Sequence, residues 1–233
     1  AIQGMLSKKL FGNAGNRIVI EQFLEGEEVS FIVMVDGKNI LPMATSQDHK
    51  RVGTGDIGPN TGGMGAYSPA PVVNGLLHDR IMSEIIVPTV EGMALENGGY
   101  TGFLYAGLMI TSDGNPKVIE YNCRFGDPET QPILMRLESD LVTHCEAALQ
   151  GKLDTQELIW DSRPAVGIVL ASKGYPANYQ RGYPITGLDN EALSHDDIKI
   201  FHAGTAQQAG NIVTDGGRVL CITAVGSTIK SAQ

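Results

Sequence analysis

Positive charge is in short supply in this chain: 17 lysines and arginines face 26 aspartates and glutamates, a net charge of -9. A general nucleic-acid binder needs a basic face, so the balance argues against that class. It leaves room for a nucleotide site, which needs only a few local cations or backbone N–H groups. Cysteine is scarcer still. Cys123, Cys145 and Cys221 are odd in number and far apart, so they make neither a disulfide framework nor a CxxC metal pair. The setting they imply is reducing and cytosolic. Long apolar runs are missing too: Phe31–Val35 and Ile85–Val87 are far too short to cross a bilayer. No basic–apolar–small-residue leader pattern stands out, so secretion is not expected. No Ser-His-Asp order or nucleophile elbow is visible.

What is present is a chain of 233 residues, 42% hydrophobic and 18% charged, the profile of a globular protein with one or two cores. Glycine is oversupplied, 29 residues or about 12% against a usual ~7%. Such an excess points to loops that approach a ligand closely or take positive φ. The chain opens at Ala1 without methionine and closes on Ile229–Gln233, which reads as an interrupted helix start; a fragment is the expectation.

Residues 17–24 and 28–35 carry strand patterns, Asp36-Gly37 is a hairpin signal, and 38–44 reads as the return strand, together an antiparallel meander. Residues 46–71 hold six glycines and a His49-Lys50-Arg51 cluster with little periodicity, the profile of a long functional loop. A helix capped by Asn74 is expected to about Asn97, with Pro88 kinking it or starting a new one. Strands are expected over 101–111 and 116–122, joined by the turn Ser112-Asp113-Gly114-Asn115. Asp127-Pro128-Glu129 reads as the cap and first turn of a helix whose buried stripe is Ile133, Leu137, Leu141, Cys145 and Leu149. Beyond Gly151 short strands follow at 165–171, 198–202 and 218–224. A boundary near Leu158–Arg163 divides the chain into 1–160 and a β-rich 161–233.

Three stretches carry chemistry. In Val118–Thr130 an apolar strand ends on Glu120 and Asn122, which period-two spacing puts on one face. Two oxygen ligands at a strand end suit Mg²⁺, which also takes phosphate oxygens and water. Arg124 falls on the same face if the strand continues, and its guanidinium fork could hold a carboxylate or phosphate. The plainer alternative is a polar strand edge with a surface ion pair. Asn60-Thr61-Gly62-Gly63-Met64-Gly65 can bring backbone N–H groups to an anion; it is neither a phosphate loop ending in Gly-Lys-Ser/Thr nor a dinucleotide fingerprint, and a flexible surface loop reads equally well. Glu21–Leu24, followed by Glu27 and Glu28, could meet an adenine edge and ribose hydroxyls, or be an acidic turn. Trp160 reads as packing, and His144 and Cys145 share a helix with no third ligand.

Together these stretches resemble the glycinamide-ribonucleotide synthetase family of ATP-grasp ligases. The resemblance is carried by Ile18–Phe31, Leu41–Arg51, Gly58–Pro71, Tyr100–Leu108 and Val118–Pro132, and continues through Gly174-Tyr175-Pro176, Phe201–Thr205 and Gly216–Leu220. It implies an α+β fold: an ATP-grasp core with an antiparallel sheet and helices on one side, then a small β-rich C-terminal domain. It also implies ligation of glycine to 5-phosphoribosylamine at the expense of ATP, through glycyl phosphate and with Mg²⁺ or Mn²⁺. On this reading Glu120 and Asn122 hold the metal, Glu21 and Leu24 face adenine, and Glu28 faces the ribose. Arg124 and Asp127 lie by glycine or the acyl phosphate, and Lys50 and Asn60–Gly65 by phosphoribosylamine or the phosphates. The partners implied are small molecules, with neither nucleic acid nor membrane. The family's N-terminal domain and first part of the lid have no counterpart before Ala1. The chain alone is therefore expected not to turn over, and to expose apolar surface that favours self-association, though the complete enzyme is expected to be monomeric. The alternative is a non-catalytic piece that folds and binds nucleotide weakly.

Overall fold

The computed structural model describes residues 2–10, 12–193 and 195–233. Its strands are β1 (Gly26–Asp36), β2 (Ile40–Pro42), β3 (Gln47–Asp48), β4 (Arg51–Gly53), β5 (Ile57–Asn60), β6 (Gly65–Ser68), β7 (Thr101–Thr111), β8 (Pro116–Asn122), β9 (Ala165–Ala171), β10 (Ile198–His202), β11 (Thr205–Gln208), β12 (Asn211–Thr214) and β13 (Arg218–Val225). Its α-helices are α1 (Ile2–Leu6), α2 (Gly75–Ile81), α3 (Val87–Asn97), α4 (Thr130–Arg136), α5 (Leu141–Leu149) and α6 (Ile229–Ala232). Among the described residues no helix is long and apolar enough to cross a membrane.

A four-stranded antiparallel sheet in the order β2-β1-β7-β8 forms the first layer. β1 and β7 pair without a break from Gly26 opposite Thr111 to Asp36 opposite Thr101. The alternation of strand side chains sends Val29, Phe31, Val33 and Val35 to one face, where they meet Leu77, Ile81, Ile86 and Val90. Ile32, Met34 and Tyr105 go to the other, against Ile133, Ala147, Ala148 and Leu153. The α+β class holds, and helices cover both faces of this sheet rather than one.

The helical run on the first face starts where Asn74 Oδ1 accepts Leu77 N–H at 2.9 Å. It does not break at Pro88. A π-helical turn over Met82–Ile86 precedes α3, which takes Pro88 into its first turn, where its missing N–H costs least.

Four expectations are corrected. Residues 17–24 form no strand, because β7 lines one side of β1 along its length and β2 and Ser46 occupy the other; Val19, Ile20 and Phe23 are left 81%, 75% and 83% exposed. Residues 46–71 are not one loop but carry β3 to β6. The helix expected after Asp127 begins only at Thr130, since the Asp127 carboxylate is taken by Arg218 at 3.1 Å and Glu129 stands at the cap without a side-chain cap bond. That helix also stops at Leu137, which turns extended to bridge Trp160. Asp140 then caps α5 by accepting Val142 and Thr143 N–H. The new start shifts the helical phase, burying His144, Ala147 and Ala148 and leaving Leu149 outside.

The second layer is a five-stranded antiparallel sheet, β10-β13-β9-β6-β3, which draws strands from both sides of residue 160. β6 runs against β9, Gly65 opposite Ile168 and Ser68 opposite Ala165. The unanticipated β11–β12 hairpin turns on Ala209 and Gly210, both at positive φ. Buried Arg136 ties the layers by donating to Ser68 Oγ at 2.9 Å and to the carbonyls of Asp161 and Arg163, with Trp160 beside its guanidinium. Trp160 is thus packing, and His144 is satisfied by Gln156 and Ser139.

Candidate active site

The pleat of β8 does put Glu120 and Asn122 on one face: Asn122 Nδ2 donates to Glu120 Oε1 at 3.3 Å. Arg124 continues the row, donating to Asn122 Oδ1 at 3.4 Å and to the Phe125 carbonyl at 2.7 Å. Glu120 shares a cavity of about 10 Å³ with Glu28, Ser30, Asp48, Lys50 and Tyr105. Lys50 Nζ lies 3.2 Å from Glu28 Oε2. Burial pulls against the Lys50 charge, but Glu28, then Glu120 and Asp48, outweigh it and raise its pKa.

Glu21, Leu24 and Glu28 meet in one cleft of about 370 Å³, walled by Met109 and Lys117–Ile119. Leu24 and Glu28 also line an adjoining cleft of about 660 Å³ with Asp48, Lys50 and Asn60. Although 17–24 is not a strand, its acid and apolar residues therefore sit where a flat ring and a polar edge could lodge.

The glycine loop closes over Lys50. Thr61 N–H and Oγ1 both donate to the Lys50 carbonyl, at 2.7 and 2.8 Å, and Met64 N–H donates to His49 at 2.8 Å. Gly63 is at φ +116°, and a Cβ there would stand 2.4 Å from Pro128 and 2.7 Å from Asp48 Oδ1. Only glycine lets the loop come this close. Met64 and Gly65 face elsewhere, into a separate hollow of about 520 Å³ against Val166–Val169. Asp127, at the loop's rim, is paired with Arg218.

Several site residues escape the sequence. Asp48 lies two residues before Lys50 on the same stretch; burial, then the charge of Glu129, lifts its carboxyl to about 7, and its Oδ1 has no hydrogen-bond partner. Buried Glu129 accepts from Ser30 Oγ at 2.8 Å, and Ser30 Oγ also meets the Tyr105 hydroxyl at 2.9 Å. Burial, then Glu129, drives the Tyr105 pKa far above its ordinary value. The period-two spacing of Asp48 and Lys50 could have found the first; nothing local marks Arg218.

A cleft floored by an antiparallel sheet, with an acid and an amide at a strand end, a lysine beside them and a glycine loop above, is the arrangement of an ATP-grasp domain. The family model of the phosphoribosylglycinamide synthetase ATP-grasp (A) domain matches residues 1–130, and that of the C domain matches 165–233. The chain belongs to the phosphoribosylglycinamide synthetase family. It is 65% identical over its whole length to a phosphoribosylamine–glycine ligase of Vibrio cholerae and 64% identical to one of Pseudomonas aeruginosa. It spans about half of each, 54% of their length. The crystal structure of a phosphoribosylamine–glycine ligase of Thermotoga maritima is similar at a TM-score of 0.80 and 36% identity, over 91% of this chain and 51% of that one. The N5-carboxyaminoimidazole ribonucleotide synthetase of Thermotoga maritima shares the fold, at a TM-score of 0.59 and 21% identity, over 94% of this chain and 54% of that one.

Proposed function

We propose that this chain supplies the catalytic core and C-terminal part of a ligase that joins glycine to 5-phosphoribosylamine, giving glycinamide ribonucleotide, ADP and phosphate. The observation that carries this reading is the convergence of Glu28, Lys50 and Glu120 on one cavity beneath the glycine loop, in a chain 65% identical to a protein named for that reaction. The complete protein is proposed to act as a cytoplasmic monomer on small molecules, without nucleic acid or membrane, with its domains meeting near residue 160.

The chemistry asks for alignment and charge neutralisation rather than a protein nucleophile. A glycine carboxylate oxygen attacks the γ-phosphorus as the bond to ADP breaks, giving glycyl phosphate. The amine nitrogen of phosphoribosylamine then attacks the acyl carbon and phosphate leaves. Glu21 and Leu24 border the adenine and Glu28 the ribose. Lys50 offsets phosphate charge, and Asn60–Gly63 encloses the acceptor, Met64 and Gly65 facing the separate hollow. Arg124, exposed at the strand end, takes the glycine carboxylate or acyl phosphate, and Asp127 shapes that rim. Glu120 and Asn122 fit a divalent ion such as Mg²⁺ or Mn²⁺, being two oxygen-bearing side chains on one face of a strand end. When bound, that ion neutralises charge on the phosphates.

Calorimetric titration of this chain with ADP and Mg²⁺ tests the reading. Metal-dependent binding is expected, weakened about tenfold or more by Glu120→Ala and by Asn122→Ala. Binding indifferent to both substitutions would remove the metal role; no binding by the unaltered chain would mean that nucleotide binding needs the lid of the complete protein, where function must then be sought.

A further inference from the structure

Arg218 stands on β13 in the second sheet, 156 residues from Gly62 and 91 from Asp127. Its guanidinium donates to the Gly62 carbonyl at 2.8 Å, to the Asp127 carbonyl at 2.8 Å, to Asp127 Oδ2 at 3.1 Å and, at 3.4 Å, to the Gly63 carbonyl. On the other side of the same residue, the Tyr175 hydroxyl accepts Gly62 N–H at 3.0 Å. Both polar backbone groups of Gly62 are thus held by side chains from beyond residue 165. The fit is close at each joint. A Cβ on Gly62 would stand 3.1 Å from the guanidinium, and one on Gly217 would stand 2.3 Å from the Tyr175 ring.

We propose that Arg218 and Tyr175 are positioning residues that fix the Gly62–Gly63 peptide above Asp48 and Lys50 and so set the affinity for the sugar-phosphate amine. The donors of Arg218 point at protein oxygens, so it acts through the loop. Asp127 is committed to the same clamp by its carboxylate and its carbonyl, which makes it a part of the loop's anchorage. The far end of the loop runs into β6, which pairs with β9, so the clamp and the strand pairing hold the loop from the same sheet. Glu21, Leu24 and Glu28 line their cleft without contribution from the clamp, and nucleotide binding should not feel its loss. The identity of the acceptor rests on the ligase reading; the clamp itself does not.

Two measurements on the complete ligase separate these. In Arg218→Met, amide hydrogen exchange at residues 62–64 should accelerate about tenfold or more, the scale of losing charge-assisted hydrogen bonds. Tyr175→Phe should accelerate exchange at Gly62, the amide that loses its acceptor. The KM for 5-phosphoribosylamine should rise about tenfold in Arg218→Met, with the KM for ATP within about threefold; Arg218→Lys should recover part of the loss. Unchanged exchange in Arg218→Met overturns the clamp. Faster exchange with no selective change in the amine KM, or with all kinetic constants and the melting temperature falling together, overturns the positioning role. Absence of ligase activity in the unaltered complete protein would overturn the functional reading while the exchange result still decides the clamp.

Discussion

Two apolar stretches of this chain have similar composition and opposite fates. Phe31–Val35 is sealed between helices on both faces of the first sheet, with Phe31 1% exposed. Ile18–Leu24, an equally good strand by its residues, pairs with nothing and leaves Val19, Ile20 and Phe23 in the open. Strand propensity describes a fit to a pleated, half-buried surface rather than an intrinsic preference, and the second stretch meets no such surface among the described residues. An apolar run becomes structure only where a neighbour has an edge and a face to spare.

The sharpest way to break this contrast is to remove one phenylalanine from each stretch. Phe31→Ala should cost about 3–5 kcal/mol in denaturant unfolding, as a buried aromatic does. Phe23→Ala should stay within about 0.5 kcal/mol; equal losses would mean that the exposed stretch is packed in solution. The next effect concerns an acid drawn into the cavity beside that sheet, where it lies half-buried beside Glu28, Lys50 and Glu120. Asp48 has its carboxyl raised to about 7 from an ordinary 3.8, by burial and then by Glu129. The folded state therefore keeps a proton that the unfolded chain has released, so stability should fall as pH rises from about 4 to 7 and level off above. Asp48→Asn should flatten that fall, by about 2 kcal/mol between pH 5 and pH 8 in paired denaturation curves. A parallel pH dependence in the two proteins would place the titration elsewhere. The smallest effect belongs to the open stretch: Val19→Ser with Ile20→Ser should shift stability by less than about 0.5 kcal/mol but reduce self-association in sedimentation at high concentration. Unchanged association would move the sticky surface to another part of the chain.

Much of the fold was legible where local pattern and partner agreed. The bounds of β7, β8, β9 and β10 follow directly from apolar runs closed by turn residues, and the Asn74 cap sits where its side chain predicts. The common face of Glu120 and Asn122 was likewise readable, because a strand's period is fixed at two. Legibility ended where distant groups compete. Asp127 looks like a helix cap until Arg218 claims its carboxylate, and the stripe from Ile133 to Leu149 looks continuous until Trp160 pulls Leu137 out of the helix. Glu129 reads as an exposed first-turn acid, yet Ser30, 99 residues away, draws it inside. Each of these depends on a partner that no local window contains.

The pairing of β6 with β9 also has a consequence for how the chain is made. β6 leaves the ribosome about a hundred residues ahead of the strand it pairs with. At roughly 5–20 residues per second, that side of β6 waits on the order of 5–20 s for β9. During that interval Gly65–Ser68 presents open backbone groups to any passing strand, a known route to mispairing. Slowing translation between residues 70 and 165 would lengthen the exposure, and a chaperone that shields this short strand would shorten it.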